Sequence, residues 1–396
     1  MLRPVLVALL ASSFLFASNV SHADCRKIVN AEIQHLINTD RIAYQIPGVQ
    51  VSFLCARERK PRDFVSGTTI IDRMQVVQAD HLFQIGSETK LFIAVIILQL
   101  ESEGLLSIED PIGKWLLNIP KKWKTITLKQ LLNHTSGIYN YTDVFRSRLT
   151  SGNPIDLKRQ WYGQELIELA AEQVEYFYPG AGWHYSNTNY ILAGMIIESV
   201  TGNSINAAMQ NRIIQPFGLT NTSYIPSIYK ENIFQKMAHG YAKSGILKNE
   251  PLDITDTNNS WAGAAGANVS TSHDIAIWFN KILKGNILPS KQLNELTTLA
   301  DMQNGQPIPV TTDSAGYGLG IMHDFQTFDE ESWWHSGGTL GYSAYMIWLK
   351  SSDIIISVNV NDITSNEHTR RDIYFLTKDL VSYLQNRCDS SPLSPR

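Results

Sequence analysis

The sequence lacks the features that mark several common classes of ligand-binding protein. Its ten histidines show no His-x-x-x-His spacing beside an acidic residue, and its three cysteines form no cluster, so we expect no metal ion. It also lacks a phosphate-binding loop, a Gly-x-Ser-x-Gly element and any block of basic residues. These absences argue against a nucleotide cofactor, an α/β-hydrolase and a nucleic-acid partner. We therefore expect no cofactor.

The apolar run at the N-terminus is too short to span a membrane. It covers residues 5–17, follows Arg3 and precedes a small-residue site at Ala23, whereas a bilayer requires roughly 20 residues. This pattern predicts a signal peptide over residues 1–23. The mature protein is then periplasmic or secreted and has no transmembrane anchor; a membrane anchor and a lipoprotein are the alternatives.

Three cysteines in an exported chain allow one disulfide and leave one thiol. Cys55 lies in the strand-like run "VQVSFLCARE", where a cysteine is usually a small buried hydrophobe. Cys25 and Cys388 lie near the two ends of the mature chain, and chain ends are often close together in a domain. We therefore expect a disulfide between Cys25 and Cys388.

Strand-like runs near both ends of the chain enclose a middle part with helical spacing of its apolar residues. This order predicts an α/β (α+β) fold in which an antiparallel sheet is flanked by the N- and C-terminal helices and carries a mostly helical insertion lobe. We expect the sheet lobe over residues 24–106 and 266–388 and the helical lobe over residues 107–265. Residues 389–396 are expected to be a disordered tail.

Lys90 stands where a structural cation is disfavoured. In "IGSETKLF" it follows Ser87 by one turn and precedes the apolar run "LFIAVIILQL", and a helix that begins near Ser87 has the positive end of its dipole there. The Ser-x-x-Lys spacing puts both side chains on one helix face. Burial favours a neutral amine, so the pattern predicts Ser87 as a nucleophile and Lys90 as its base.

The spacing alone also fits simpler interpretations. Ser87 can be an N-cap residue with Lys90 directed to solvent, and a second copy of the spacing occurs at Ser227 and Lys230 in a proline-flanked loop. His134 in "LLNHTSGI" is a further catalytic candidate, although a helix end with Thr, Ser and Gly is more often structural.

Two later motifs favour the catalytic interpretation. "WHYSNTNY" supplies Tyr185 and Asn187 before an amphipathic helix, and "WWHSGGTLGY" supplies a His-Ser-Gly-Gly run before a strand. With Ser-x-Thr-Lys, this order resembles the serine β-lactamase and penicillin-binding protein family, in its branch of class C β-lactamases and serine D-alanyl-D-alanine carboxypeptidases. "PFGLTNTSY", "GANVSTSHDIAIW" and "GYGLGI" resemble further landmarks of that family, so the resemblance covers roughly residues 40–360.

The resemblance implies a role for each motif residue. Ser87 is the nucleophile, Lys90 activates it, and Tyr185 transfers a proton to the leaving group or from the deacylating water. Asn187 binds the substrate's amide carbonyl. The strand that begins with His335 and Ser336 binds substrate, Gly337 permits its close approach, and the N–H groups of Gly338 and Ser87 form the oxyanion hole.

Histidine at the first position of the third motif departs from the family's lysine. Lys243-Ser244-Gly245 is a better literal match, but it lacks the strand pattern that follows Gly338. An imidazole is charged only part of the time near neutral pH. This departure favours a carboxypeptidase or esterase over a β-lactamase.

The sequence therefore predicts an exported serine hydrolase that forms an acyl-enzyme, with D-alanyl peptides or related amides and esters as substrates. A class C-like β-lactamase and an esterase are alternatives within the same class. The alternative from another class is a non-catalytic protein that binds β-lactams or peptidoglycan. The expected partners are a small peptide, ester or β-lactam and the stem peptides of peptidoglycan.

Overall fold

The computed structural model describes residues 28–55, 58–71, 73–151, 156–243, 251–285, 287–311, 314–364 and 371–388. Its α-helices are α1 (Asn30–Ala43), α2 (Thr89–Ser102), α3 (Leu128–Leu132), α4 (Tyr141–Thr150), α5 (Gly163–Ala171), α6 (Asn187–Thr201), α7 (Ile205–Met209), α8 (Gln215–Phe217), α9 (Glu231–Phe234), α10 (Gly263–Gly266), α11 (Ser272–Leu283), α12 (Ser290–Leu296) and α13 (Arg371–Cys388). The expected signal peptide and C-terminal tail lie outside the described residues.

The strands are β1 (Gly48–Cys55), β2 (Arg62–Gly67), β3 (Phe83–Gln84), β4 (Ser223–Tyr224), β5 (Tyr241–Lys243), β6 (Leu252–Asp253), β7 (Asn268–Ser270), β8 (Leu299–Asp301), β9 (Pro307–Ile308), β10 (Gly316–Tyr317), β11 (Met322–Asp324), β12 (Ser332–Gly338), β13 (Ser343–Leu349), β14 (Ile354–Val360) and β15 (Asp362–Thr364). Nine of them form one sheet in the order β2-β1-β14-β13-β12-β11-β10-β8-β9, and every neighbouring pair is antiparallel. The sheet thus joins early and late parts of the chain, which confirms the predicted fold class.

Both faces of the central strands are covered by helices. In β14, Ile354, Ile356 and Val358 belong to the core that contains apolar residues of α1 and α13. The intervening Ile355 belongs to the opposite core, which contains α2 and α11. Coverage of both faces explains why all seven residues of β14 are buried, including the polar Ser357 and Asn359.

Helix α2 lies inside the molecule and carries apolar residues on all its sides, as buried helices do. It packs against α6, α10 and α12. A 3-10 turn over Gly86–Glu88 connects it to β3 and carries Ser87. Within the described ranges, no helix is both long enough and apolar enough to cross a membrane.

The structure corrects the expected disulfide. Cys55 ends strand β1, is buried and takes part in a disulfide bond. The chain has three cysteines, so a bond between Cys25 and Cys388 would leave Cys55 without an intramolecular partner, and that prediction is wrong. A buried position in a strand suits a small apolar thiol and a disulfide equally well, which is why the strand pattern did not separate the two. Cys25 and the side chain of Cys388 lie outside the described part of the structure.

Candidate active site

Ser87 lies on the turn that precedes α2, where the backbone of strand β12 passes close by. Gly86 has φ of 50°, a conformation that glycine adopts without strain. A Cβ atom at Gly86 would lie 2.5 Å from the backbone nitrogen of Gly338. Glycine is therefore needed at position 86 both for the turn and for the contact with β12.

Lys90 is completely buried and its amine touches three oxygen atoms. Nζ lies 2.9 Å from Ser87 Oγ, 2.7 Å from Asn187 Oδ1 and 2.7 Å from the carbonyl oxygen of Ala265. Burial lowers the pKa of Lys90 well below its ordinary value. An amide oxygen and a carbonyl oxygen only accept hydrogen bonds, so a neutral amine gives its two hydrogens to Asn187 and Ala265. Its lone pair then faces the hydroxyl of Ser87.

Tyr185 and Asn187 lie at the N-terminus of α6. The backbone N–H of Asn187 donates to Asn140 Oδ1 at 3.0 Å, and its side-chain Nδ2 donates to Thr142 Oγ1 at 3.1 Å. These bonds orient the amide oxygen of Asn187 toward Lys90. The half-buried ring of Tyr185 has its centroid 4.9 Å from Lys90 Nζ, so Ser87, Lys90 and the phenol share one small region.

His335 is buried and neutral, which corrects the expectation of a partly charged imidazole. Its Nδ1 lies 2.6 Å from the carbonyl oxygen of Ser336 and must carry the ring proton, since a carbonyl only accepts. Its Nε2 therefore accepts a hydrogen bond from the hydroxyl of Tyr317 at 3.0 Å. Burial, reinforced by the nearby Lys90, lowers the pKa of His335 to about 3. The sequence did not reveal that the imidazole lies inside the protein.

Gly337 is required for packing between β12 and the turn that carries Ser87. A Cβ atom at Gly337 would lie 1.9 Å from the carbonyl oxygen of Ile85 and 3.3 Å from the nitrogen of Ser87. Gly337 therefore permits β12 to lie close to the backbone of Ile85 and Ser87. From the sequence, only a close approach of substrate was expected. The contact holds Gly338 beside Gly86 and so brings the two expected oxyanion donors into one place.

A cavity of about 490 Å³ opens over Ser87. Of the predicted residues, it is lined by Ser87, Tyr185, Asn187, His335, Ser336, Gly337 and Gly338, while Lys90 lies buried behind them. Sequence reasoning missed other lining residues: Asn140, Thr142, Arg146, Trp183, Trp261, Met322 and Tyr345. Asn140 and Thr142 lie more than 40 residues from Asn187 along the chain. The polar residues in "YNYT" after the His-Thr-Ser-Gly run were the available signal.

Of the competing motif copies, the described residues Ser227, Lys230 and Lys243 do not line this cavity. The Ser227 hydroxyl donates to the carbonyl of Ile228, and the side chain of Lys230 is exposed. Lys243 ends strand β5, whereas Ser244 and Gly245 lie outside the described residues. Across the described ranges, no group of three or more His, Cys, Asp or Glu side chains is arranged to hold a metal ion.

A family model described as Beta-lactamase matches residues 33–379. The chain belongs to the Beta-lactamase family. Penicillin-binding protein 4* of Bacillus subtilis is 26% identical over 283 residues, which cover 68% of this chain and 58% of that protein. The protein flp of Staphylococcus aureus is 24% identical over 361 residues, or 89% of this chain and 66% of flp. The chain thus spans about six tenths of these relatives.

Two solved structures are similar to this Beta-lactamase family member over nearly their whole length. The D-stereospecific amidohydrolase of Streptomyces sp. is 32% identical with a TM-score of 0.72, and the match covers 88% of this chain and 98% of that one. The D-amino acid amidase of Ochrobactrum anthropi is 25% identical with a TM-score of 0.77, at 90% and 98% coverage. The resemblance to the serine β-lactamase and penicillin-binding protein family is confirmed.

Proposed function

We propose that this protein is an exported serine hydrolase that forms an acyl-enzyme on Ser87 and acts on D-alanyl peptides or related D-residue amides and esters. The observation that carries the proposal is the environment of Lys90. Nζ lies 2.7 Å from two oxygens that only accept and 2.9 Å from Ser87 Oγ, and burial lowers its pKa. In the neutral form its two hydrogens go to the two acceptors, and its lone pair is left for the Ser87 hydroxyl. An unprotonated lysine in this position is a general base.

The reaction begins with proton transfer from Ser87 Oγ to Lys90 Nζ while Oγ attacks the substrate's carbonyl carbon. The N–H groups of Ser87 and Gly338 stabilise the oxyanion. The carbon–nitrogen bond breaks as the phenol of Tyr185 protonates the leaving amine, and Tyr185 then regains a proton from the Lys90 ammonium. Water attacks the resulting ester and returns its proton through the same pair, so the acid is released and Ser87 is regenerated.

The charges around the cavity favour peptides and blocked amides over free D-amino acid amides. None of the described residues that line it is acidic, so the ammonium of a free amino acid amide finds no carboxylate there. Arg146 lines the cavity and gives a carboxylate a cationic partner, while Trp183, Trp261 and Tyr345 suit apolar groups. The similarity to a D-stereospecific amidohydrolase supports substrates of D configuration.

Neutral His335 leaves no charge at the position where a class C β-lactamase has a lysine. A penicillin's carboxylate then lacks a cation on β12, so we expect penicillins to acylate Ser87 inefficiently and to be released slowly. A D-alanyl peptide or small ester should be turned over faster. The disulfide at Cys55 supports an oxidising compartment and therefore export.

The test is intact-mass analysis combined with turnover assays of the native protein and two serine variants. A peptide ending in D-Ala-D-Ala, D-phenylalanine amide and a penicillin are each supplied. Ser87→Ala should abolish both turnover and the covalent adduct, whereas the matched control Ser227→Ala should behave as the native protein. Adducts that persist in Ser87→Ala would contradict the proposed nucleophile. An adduct on Ser87 without turnover of any substrate would favour the non-catalytic binding protein.

A further inference from the structure

His134 binds the chain on both sides of Tyr185. Its carbonyl oxygen accepts a hydrogen bond from the backbone N–H of His184 at 3.1 Å. Its side-chain Nδ1 accepts one from the backbone N–H of Ser186 at 3.3 Å. One residue therefore fixes the backbone immediately before and immediately after Tyr185, and its ring centroid lies 4.4 Å from that of Tyr185.

The backbone of His134 has the left-handed conformation that this double contact requires. Its φ is 65°, a value that only a few per cent of non-glycine residues adopt, with asparagine, aspartate and histidine the most frequent among them. It follows helix α3, which ends at Leu132, and the reversal turns both its carbonyl and its side chain toward residues 184–186. A conformation held against its intrinsic preference is imposed by the surrounding structure.

The imidazole of His134 is fixed as an acceptor and does not act as a proton carrier. Asn189 Nδ2 also meets Nδ1, at 3.1 Å, and the Asn189 oxygen is itself occupied by the Ser136 hydroxyl at 2.7 Å, so the Asn189 amide must donate. Two donors on Nδ1 place the ring proton on Nε2. Protonating Nδ1 would oppose both donors, and the ring is completely buried and does not line the cavity.

We propose that His134 is a positioning residue that sets the Tyr185 phenol for proton transfer to the leaving group. The proposal rests on the proposed function. The motif "NHTSG" thus acts on the reaction through the segment 184–186 rather than by contact with substrate. Nε2 has no hydrogen-bond partner among the described residues and is surrounded by aromatic rings, including those of Tyr185 and Tyr317, so the side chain's polar contacts all serve this segment and α6.

The test compares His134→Gly with His134→Asn on two matched substrates. Glycine keeps the left-handed backbone and loses the acceptor, whereas asparagine tolerates that backbone and places an acceptor oxygen near the position of Nδ1. The substrates are a p-nitroanilide, whose nitrogen must be protonated on leaving, and the corresponding p-nitrophenyl ester, whose phenolate leaves without a proton. Thermal unfolding of each variant is measured alongside.

Misplacing a proton donor by about 1 Å costs about 100-fold in rate, so His134→Gly should lose about that factor in kcat for the anilide with KM nearly unchanged. Acylation by the ester should fall far less, and His134→Asn should regain most of the anilide rate. In a Tyr185→Phe background, His134→Gly should add little, because residues acting through one step are non-additive. Equal losses on anilide and ester, or full additivity with Tyr185→Phe, would overturn the proposal.

Should His134→Gly fail to fold, His134→Asn and His134→Gln carry the same comparison, since glutamine's longer side chain misplaces the acceptor. A native-like anilide-to-ester ratio in His134→Gln would then overturn the positioning role. Native protein that turns over neither substrate would reject the proposed function itself, and an active native protein with equal losses in the variants rejects the role of His134 alone.

Discussion

Replacing Gly337 by alanine should separate strand β12 from the turn that carries Ser87. The added methyl would lie 1.9 Å from the carbonyl oxygen of Ile85, whereas contacts of a real Cβ shorter than 3.0 Å are essentially never found. The atoms that the methyl would meet belong to the backbone of Ile85 and Ser87, so no side chain can rotate away, and the two segments must part by about 1 Å. The oxyanion donors would move apart by a similar distance.

The expected cost of Gly337→Ala has two components. Overpacking of this kind typically destabilises a protein by about 1–3 kcal/mol. Loss of one aligned oxyanion donor reduces kcat by about 100-fold or more. The assay is the rate of Ser87 acylation by an activated ester, followed with the unfolding free energy in urea. Gly163→Ala, whose added methyl would come no closer than 3.4 Å to Met195 Sδ and which does not line the cavity, is the matched control and should leave both stability and acylation close to native. Native acylation and native stability in Gly337→Ala would refute the packing argument.

Two further predictions concern charge. Burial, with repulsion from Asp379, raises the pKa of Asp40 from 3.8 to about 6, so the folded state binds this proton more tightly and stability falls as pH rises from about 4 to about 6. Asp40→Asn should abolish that decline and stabilise the protein at pH 7 by about 1 kcal/mol after discounting for solvent exposure. Urea titrations at pH 4 and pH 7 measure the free energy of unfolding, and a decline that is unchanged in Asp40→Asn would contradict this prediction. Arg146→Gln should raise KM about tenfold for a peptide with a free carboxylate but not for the corresponding peptide amide. Replacing the exposed Arg148 on the same helix by glutamine should change neither KM. Equal effects of Arg146→Gln on the KM of peptide and amide would exclude carboxylate recognition by Arg146.

The sequence predicted the parts of the site that depend on local spacing. Ser87 and Lys90 are three residues apart at a helix start, and this separation alone brings their side chains together on one face. The apolar run after Lys90 correctly indicated a buried helix and a buried amine. Asn187 was identified through the family resemblance as a donor to the substrate's amide carbonyl, whereas the contact of its oxygen with Lys90 at 2.7 Å was not predicted.

The parts that sequence could not predict depend on packing between distant segments. The pKa of His335 is lowered by burial in the protein interior and by Lys90, which is more than 200 residues away along the chain. The steric need for glycine at position 337 comes from the carbonyl of Ile85, and no spacing rule links the two. Cys55 pairs through tertiary proximity, which the position of cysteines along the chain does not determine. The sequence thus predicted contacts between residues close together in the chain, but not contacts between distant segments.

The charge of Lys90 is the central claim, and a ¹³C NMR titration of the lysine side chains tests it most directly. Protein labelled at lysine Cε is titrated, and the Lys90 signal is assigned by its absence from the spectrum of Lys90→Arg. Because burial favours the neutral amine, Lys90 should titrate well below the other lysines and be unprotonated at neutral pH. A Lys90 signal that titrates together with the surface lysines, near their usual pKa of about 10.4, would contradict its role as the base that activates Ser87.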